Sequence, residues 1–210
     1  MDGAASTPIA IAGIIGAFLF GSIPFGYLVG RFFYGIDIRA QGSGNIGAMN
    51  ALRTMGKTGA ACVLVLDALK GFLPTYAIAL ALHYDEDASA IIALTGAMAV
   101  IGHCFSPWLK FKGGKGVATS FAVIFALNWI AGLCCIAGWL VGALATGYSS
   151  VGSILGNVVA PFALYFMTHN VAFALYGVFA ALLIIYKHRE NIARLRAGTE
   201  SGIGFLRRKA

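Results

Sequence analysis

The sequence has 210 residues, of which 59% are apolar and 11% charged, with a formal net charge of +7. Soluble domains carry roughly 25% charged residues, so a water-soluble globular fold is excluded. The basic excess fits the inner face of a membrane protein and a basic tail beside anionic lipid heads, and no nucleic-acid partner is expected.

The first apolar run, Pro8 to Val29, holds no charge over 22 residues, and about 20 helical residues cross a bilayer's hydrocarbon core. It lacks a basic n-region and follows Asp2, so it reads as a mature spanning helix rather than a signal peptide. Further spans are predicted at Thr58 to Leu82, Ser89 to Phe105, Val117 to Trp129, Ala131 to Thr146, Val151 to Met167 and Val171 to Tyr186. The division within Val117 to Thr146 is the weakest, since those 30 residues carry no charge. One long tilted helix fits them, but two short helices turning near Asn128 and Gly132 close the charge pattern better. The expectation is an all-α polytopic protein with seven transmembrane helices, N-terminus outside and C-terminus cytoplasmic, in a single domain over 1–210.

On that path the charges separate by side, as the positive-inside rule requires. The external segments hold Asp2, Asp85, Glu86 and Asp87 and no basic residue. The internal segments hold Arg31, Arg39, Arg53, Lys57, Lys110, Lys112, Lys115 and the seven basic residues from Lys187 to Lys209. Only Asp67 and Lys70 fall within a span, where a mutual ion pair three residues apart is the simplest reading. The cysteines give neither a C-x-x-C pair nor a plausible bridge between adjacent Cys134 and Cys135, and no metal or cofactor is expected.

This topology puts the polar chemistry on the cytoplasmic side. In the segment Gln41 to Arg53, Gly42, Gly44 and Gly47 fit G-x-G-x-x-G, with Asp67 20 residues after the last. The dinucleotide reading fails on context, because no strand precedes the glycines and Asp67 lies in an apolar run. The local physics survives: glycines let backbone N–H groups converge on an anion, and Ser43, Asn45, Asn50 and Arg53 add hydrogen-bonding groups. The plain alternative is a flexible loop with a positive-inside arginine.

In Lys110 to Gly116, the run Gly113-Gly114-Lys115-Gly116 looks like a phosphate loop but lacks the Ser or Thr after the lysine that Walker A requires. Lys112 and Lys115 can still hold a phosphate as point charges, ahead of the N-terminus of the next helix. A basic anchoring loop is the structural alternative. His103, just before it, reads first as a helix-end residue. In Lys187 to Ile192, a continuing helix puts His188, Asn191 and Leu195 on one face. His83 and His169 map outside and receive no role.

Taken together, these segments resemble the bacterial acyl-phosphate-dependent glycerol-3-phosphate acyltransferases, the PlsY family. The resemblance covers nearly the whole chain. It rests on Gly42-Ser43-Gly44-Asn45 with Gly47, Asn50 and Arg53, on Gly102-His103 with Phe111 to Thr119, on Tyr148, Ser150 and Ser153, and on His188, Asn191 and Glu200. Met49 stands where the family usually has threonine, and Ser106-Pro107 displaces a proline by one position.

The resemblance implies transfer of a fatty acyl group from acyl phosphate to the 1-hydroxyl of glycerol 3-phosphate, at the cytoplasmic face of a bacterial inner membrane, by a protein expected to be a monomer. It implies that His188, Lys112 and Asn191 are catalytic. It implies that Ser43, Gly44, Asn45, Asn50, Arg53, His103, Gly113, Gly114, Lys115 and Ser150 bind substrate. Arg53 and Lys112 would hold phosphates, with Lys115 and glycine N–H groups neutralising charge. Ser150 and Asn191 would orient hydroxyls. The His-x4-Asp base of other glycerolipid acyltransferases is absent, since no histidine has an aspartate five positions later. The substrate's own phosphate is the preferred proton acceptor, with His188 as positioner. A transporter of a phosphorylated small molecule is the alternative, and a lipid-binding scaffold a more distant one.

Overall fold

A computed structural model describes residues 3–203. Asp2 and the basic residues Arg207, Arg208 and Lys209 lie outside the described residues. Nine helices occupy the described part: α1 (Gly3–Gly21), α2 (Phe25–Phe33), α3 (Ala48–Ala81), α4 (Ser89–Cys104), α5 (Val117–Leu127), α6 (Trp129–Thr146), α7 (Ser149–Thr168), α8 (Val171–Lys187) and α9 (Arg189–Arg196). Single 3-10 turns precede α3 and α4 and lie between α4 and α5.

The first predicted span is interrupted. Pro24 lacks an N–H and cannot continue the helix of α1, so the chain bends by 41° into α2. The second begins at Lys57, within a residue of where its apolar pattern placed it, and a short helix from Ala48 abuts it across Gly56. Both segments together make the 34 residues of α3, and the part after Gly56 reaches about 38 Å against a hydrocarbon core of about 30 Å. Gly56, at φ +73, breaks it into an amphipathic first segment and the long apolar one.

The stretch 117–146 divides into two helices at Asn128, whose Oδ1 accepts the Ala131 N–H at 2.9 Å and caps α6. Only 11 residues long, α5 reaches about 16 Å, half of the hydrocarbon thickness. Among the described residues, α3, α4 with its flanking turns, α6 and α7 are each long and apolar enough to cross a membrane. The bent pairs α1–α2 and α8–α9 raise the number to six.

Small residues let the backbones approach closely, the usual device where lipid removes the hydrophobic drive for helix association. A Cβ on Gly21 would stand 2.3 Å from the Ala99 carbonyl oxygen, and one on Gly152 2.4 Å from that of Trp139. These contacts join α1 to α4 and α6 to α7. Outward, Leu140, Leu144, Phe162, Phe166, Leu175 and Leu182 form an exposed apolar surface, as a lipid-facing belt requires.

The loops fall at two ends. At one, the Asn170 amide donates to the Ser89 hydroxyl at 2.7 Å. At the other, Lys187 Nζ donates to the Cys104 carbonyl at 2.9 Å, and the Ile203 N–H reaches the Gly147 carbonyl at 2.8 Å. This second end gathers the basic segments.

Candidate active site

The first loop is organised by one amide. Asn50, buried at the start of α3, donates from Nδ2 to the carbonyls of Ile38, Gln41 and Asn45 at 2.8–3.0 Å, while its Oδ1 accepts the Ser43 N–H at 2.8 Å. Gly42 and Gly44 turn the chain around it at φ +57 and +70, in the left-handed region that glycine adopts without strain. The Asn45 side chain accepts the Gly47 N–H at 2.9 Å. Asn50 and Asn45 therefore shape this loop from inside, and the exposed Ser43 is the hydroxyl it presents. Alongside, Arg39 is engaged by Asp37, with its Nη2 2.6 Å from Oδ2, and this hydrogen-bonded guanidinium draws the Asp37 carboxyl down to about 2.

The second loop closes the end of α4. The N–H groups of Gly113 and Gly114 donate to the carbonyls of Cys104 and His103 at 3.2 and 3.0 Å. They cap a helix rather than point at an anion. The approach is tight: a Cβ on Gly113 would stand 2.0 Å from the His103 carbonyl oxygen, and one on Gly114 2.0 Å from His103 Nε2. His103 itself is buried beneath the loop, not lining an open surface.

The site's densest polar group centres on a carboxylate. Glu200, in the segment after α9, accepts from Ser150 Oγ at 2.9 Å and Asn191 Nδ2 at 2.5 Å on one oxygen, and from Arg194 Nε at 2.7 Å on the other. Asn191 Oδ1 in turn accepts from Lys115 Nζ. Burial pushes the Glu200 carboxyl up, but the three donors outweigh it and hold it below the ordinary glutamate range. For Lys115, burial, reinforced by the Arg194 charge, pulls the ammonium down to about 8.

His188 caps the end of α8 and is buried. Its Nδ1 lies 2.8 Å from the Ile184 carbonyl. An acceptor carbonyl there requires the proton on Nδ1, which leaves Nε2 as the accepting edge. Burial, with the Lys115 charge, pulls the imidazole down to about 4, so it is neutral at pH 7. Arg53, exposed on the first segment of α3, reaches the Ser201 carbonyl at 3.5 Å.

The structure thus unites Lys115, Ser150 and Asn191, with His188 and Arg53 at their margin. Ser43 and Lys112 stay exposed on flanking loops, and among the described residues neither side chain makes a hydrogen bond within the protein. Sequence reasoning gave Glu200 no role. Its signal was present: it is the one acid between Asn191 and Ala210, set among five arginines and lysines.

Chemically, this is a rim of positive and polar groups whose side chains are held by one another. The Ser150 hydroxyl donates to Glu200 and keeps lone pairs for a substrate hydroxyl, and Asn191 keeps one N–H. The fold and site define a polytopic α-helical membrane protein with its reactive polar groups gathered at one membrane face.

The chain matches the family model for glycerol-3-phosphate acyltransferase over residues 11–198. A glycerol-3-phosphate acyltransferase of Brucella suis is 47% identical over 194 residues, covering 92% of this chain and 93% of its own. One from Rhodopseudomonas palustris is 44% identical over 196 residues, covering 93% and 97%. Among solved structures, the glycerol 3-phosphate form of PlsY, an integral membrane glycerol 3-phosphate acyltransferase, superimposes with a TM-score of 0.88 at 38% identity, covering 94% of this chain and 96% of that one. The chain belongs to the glycerol-3-phosphate acyltransferase family and is an integral membrane acyltransferase.

Proposed function

We propose that this protein transfers a fatty acyl group from acyl phosphate to the 1-hydroxyl of glycerol 3-phosphate, giving lysophosphatidate and inorganic phosphate, the first acylation of phospholipid synthesis. It works as a monomer in the bacterial inner membrane. Its long apolar helices cross that membrane, with the N-terminus outside, the C-terminus inside and the site facing the cytoplasm. Resemblance to the glycerol 3-phosphate form of PlsY supports the acceptor, and the lysophosphatidic acid form, at a TM-score of 0.85, supports the product. The observation that carries the reading is the group formed by Lys115, Asn191, Glu200 and Ser150 at the basic end of the bundle. Both substrates bring phosphate and only one brings a lipid tail, which suits a cationic rim open to water on one side and to lipid on the other.

Arg53, Lys112 and Lys115 hold the phosphates. Ser150 and Asn191 orient the glycerol hydroxyl against the acyl carbonyl, and Glu200 keeps those two side chains in place. Attack forms the new C–O ester bond and breaks the bond from acyl carbon to phosphate oxygen. The hydroxyl proton then leaves with that phosphate as hydrogen phosphate. An imidazole at about 4 is a poor proton acceptor for an alcohol at pH 7, so the leaving phosphate takes the proton and His188 Nε2 positions the hydroxyl.

The test supplies purified protein with labelled glycerol 3-phosphate and either acyl phosphate or acyl-CoA. Lipid product from acyl phosphate alone is expected. Label accumulating unchanged inside proteoliposomes would replace this reading with a transporter. A His188→Ala variant whose large loss of kcat is restored by imidazole would make His188 the base.

A further inference from the structure

Three ionisable side chains lie outside the rim, buried between the helices. Lys70 and Asp67, one turn apart on α3, meet at 2.7 Å between Nζ and Oδ1, with side chains 0% and 3% exposed. Lys70 Nζ also donates to the Ile23 carbonyl at 2.8 Å, in the break between α1 and α2, and lies 5.5 Å from the centre of the Phe25 ring. His103, at the end of α4, turns Nδ1 toward the same carboxylate oxygen at 3.5 Å. Beyond that ion pair with Lys70, Asp67 Oδ1 has no other partner than His103 Nδ1, and His103 Nδ1 has none closer, among the described residues.

An ion pair alone would explain how Lys70 and Asp67 tolerate the membrane. It does not explain what surrounds them. The Asp67 carbonyl accepts from Thr119 Oγ1 at 2.9 Å, which fixes the first turn of α5 against α3. The opposite edge of the His103 ring faces Gly114 so closely that a Cβ there would stand 2.0 Å from Nε2, while the His103 backbone carbonyl accepts the Gly114 N–H. The segment Gly113-Gly114-Lys115 is therefore held from beneath by His103, and the helix that follows it is tied at Thr119; the first tie leads to the Asp67 carboxylate and the second to its backbone carbonyl.

We infer that Asp67 and His103 are a positioning pair for the acyl transfer: the carboxylate orients the imidazole, the imidazole seats Gly114, and Gly114 sets where the Lys115 ammonium stands in the site. The inference rests on Lys115 being part of the substrate site. The fold here brings together a histidine and an aspartate that the sequence keeps 36 positions apart. Buried under the loop, they act through Lys115 and not on substrate.

The experiment compares two variants, each made in the wild-type and in the Lys115→Met background. Asp67→Asn with Lys70→Met removes the carboxylate without stranding a buried charge. His103→Asn keeps a donor toward Asp67, vacates the space against Gly114 and leaves the ion pair intact. If the double variant yields no folded protein, the His103→Asn pair decides. Folding is followed by thermal melting and elution in detergent. Expected is a roughly tenfold fall in kcat/KM for glycerol 3-phosphate, carried mainly by KM, that shrinks to less than about twofold when Lys115 is already methionine.

Unchanged kcat/KM, or an equal loss in both backgrounds, overturns the positioning role, since a merely structural defect would multiply with the Lys115 change. Failure of the unaltered protein to make any lipid product strikes the proposed function instead, and the two failures are distinguished by that control.

Discussion

Two groups of opposite charges stand in this bundle, and they behave differently because water reaches one of them. At the rim, Arg194 meets Glu200 at 2.7 Å with the arginine 38% exposed. In the interior, Lys70 meets Asp67 at the same distance with both side chains closed off. Equal geometry carries unequal consequences, since an exposed pair is worth little while a buried pair that loses one partner leaves an uncompensated charge. The interior pair is therefore suited to holding a shape, and the rim to exchanging partners with an incoming anion.

The most severe way to expose this contrast is Lys70→Met alone, which should destabilise the protein by about 3–5 kcal/mol. Thermal melting in detergent measures it, and adding Asp67→Asn should recover most of the loss. Next in size is Lys115→Met, expected to lower kcat/KM about 100-fold in the labelled assay by removing a preorganised positive group, with little change in melting.

Lys115→Arg separates charge from position. The Lys115 ammonium is lost as pH rises through about 8, so KM for glycerol 3-phosphate should climb above that pH. The arginine variant, charged throughout, should lack that limb. Glu200→Gln acts at the acid end. A carboxylate held below its ordinary value of 4.5 adds stability that is complete above that pH and lost as pH falls beneath it. The unaltered protein should therefore lose melting temperature below about pH 4.5 faster than the glutamine variant. The smallest effect is expected at Arg194→Met, under about 1 kcal/mol, because the arginine is partly exposed and Glu200 keeps Ser150 and Asn191 as donors.

Much of this was legible in the chain. Apolar length and charge placement located the helices, and the split near Asn128 followed from the side on which the flanking charges had to fall. The short helix from Ala48 to Met55 escaped because it is amphipathic rather than apolar, and only Gly56 separates it from the span that follows. The roles of Asn50, Gly113 and Gly114 were harder to see: residue types suited to binding phosphate are equally suited to closing a turn, and the difference lies in which carbonyls stand nearby. Glu200 and the meeting of Asp67 with His103 depend on contacts between distant parts of the chain, for which local spacing carries no signal.

The position of Glu200 along the chain also bears on how the protein is made. Lys115 and Ser150 leave the ribosome before the carboxylate that steadies Ser150 and, through Asn191, Lys115. Until residue 200 has emerged, the cluster is a set of positive and polar groups without its anchor. Helix insertion can thus be complete while the enzyme is still inactive, so a chain ended and released after Thr199 should reside in the membrane yet transfer no acyl group.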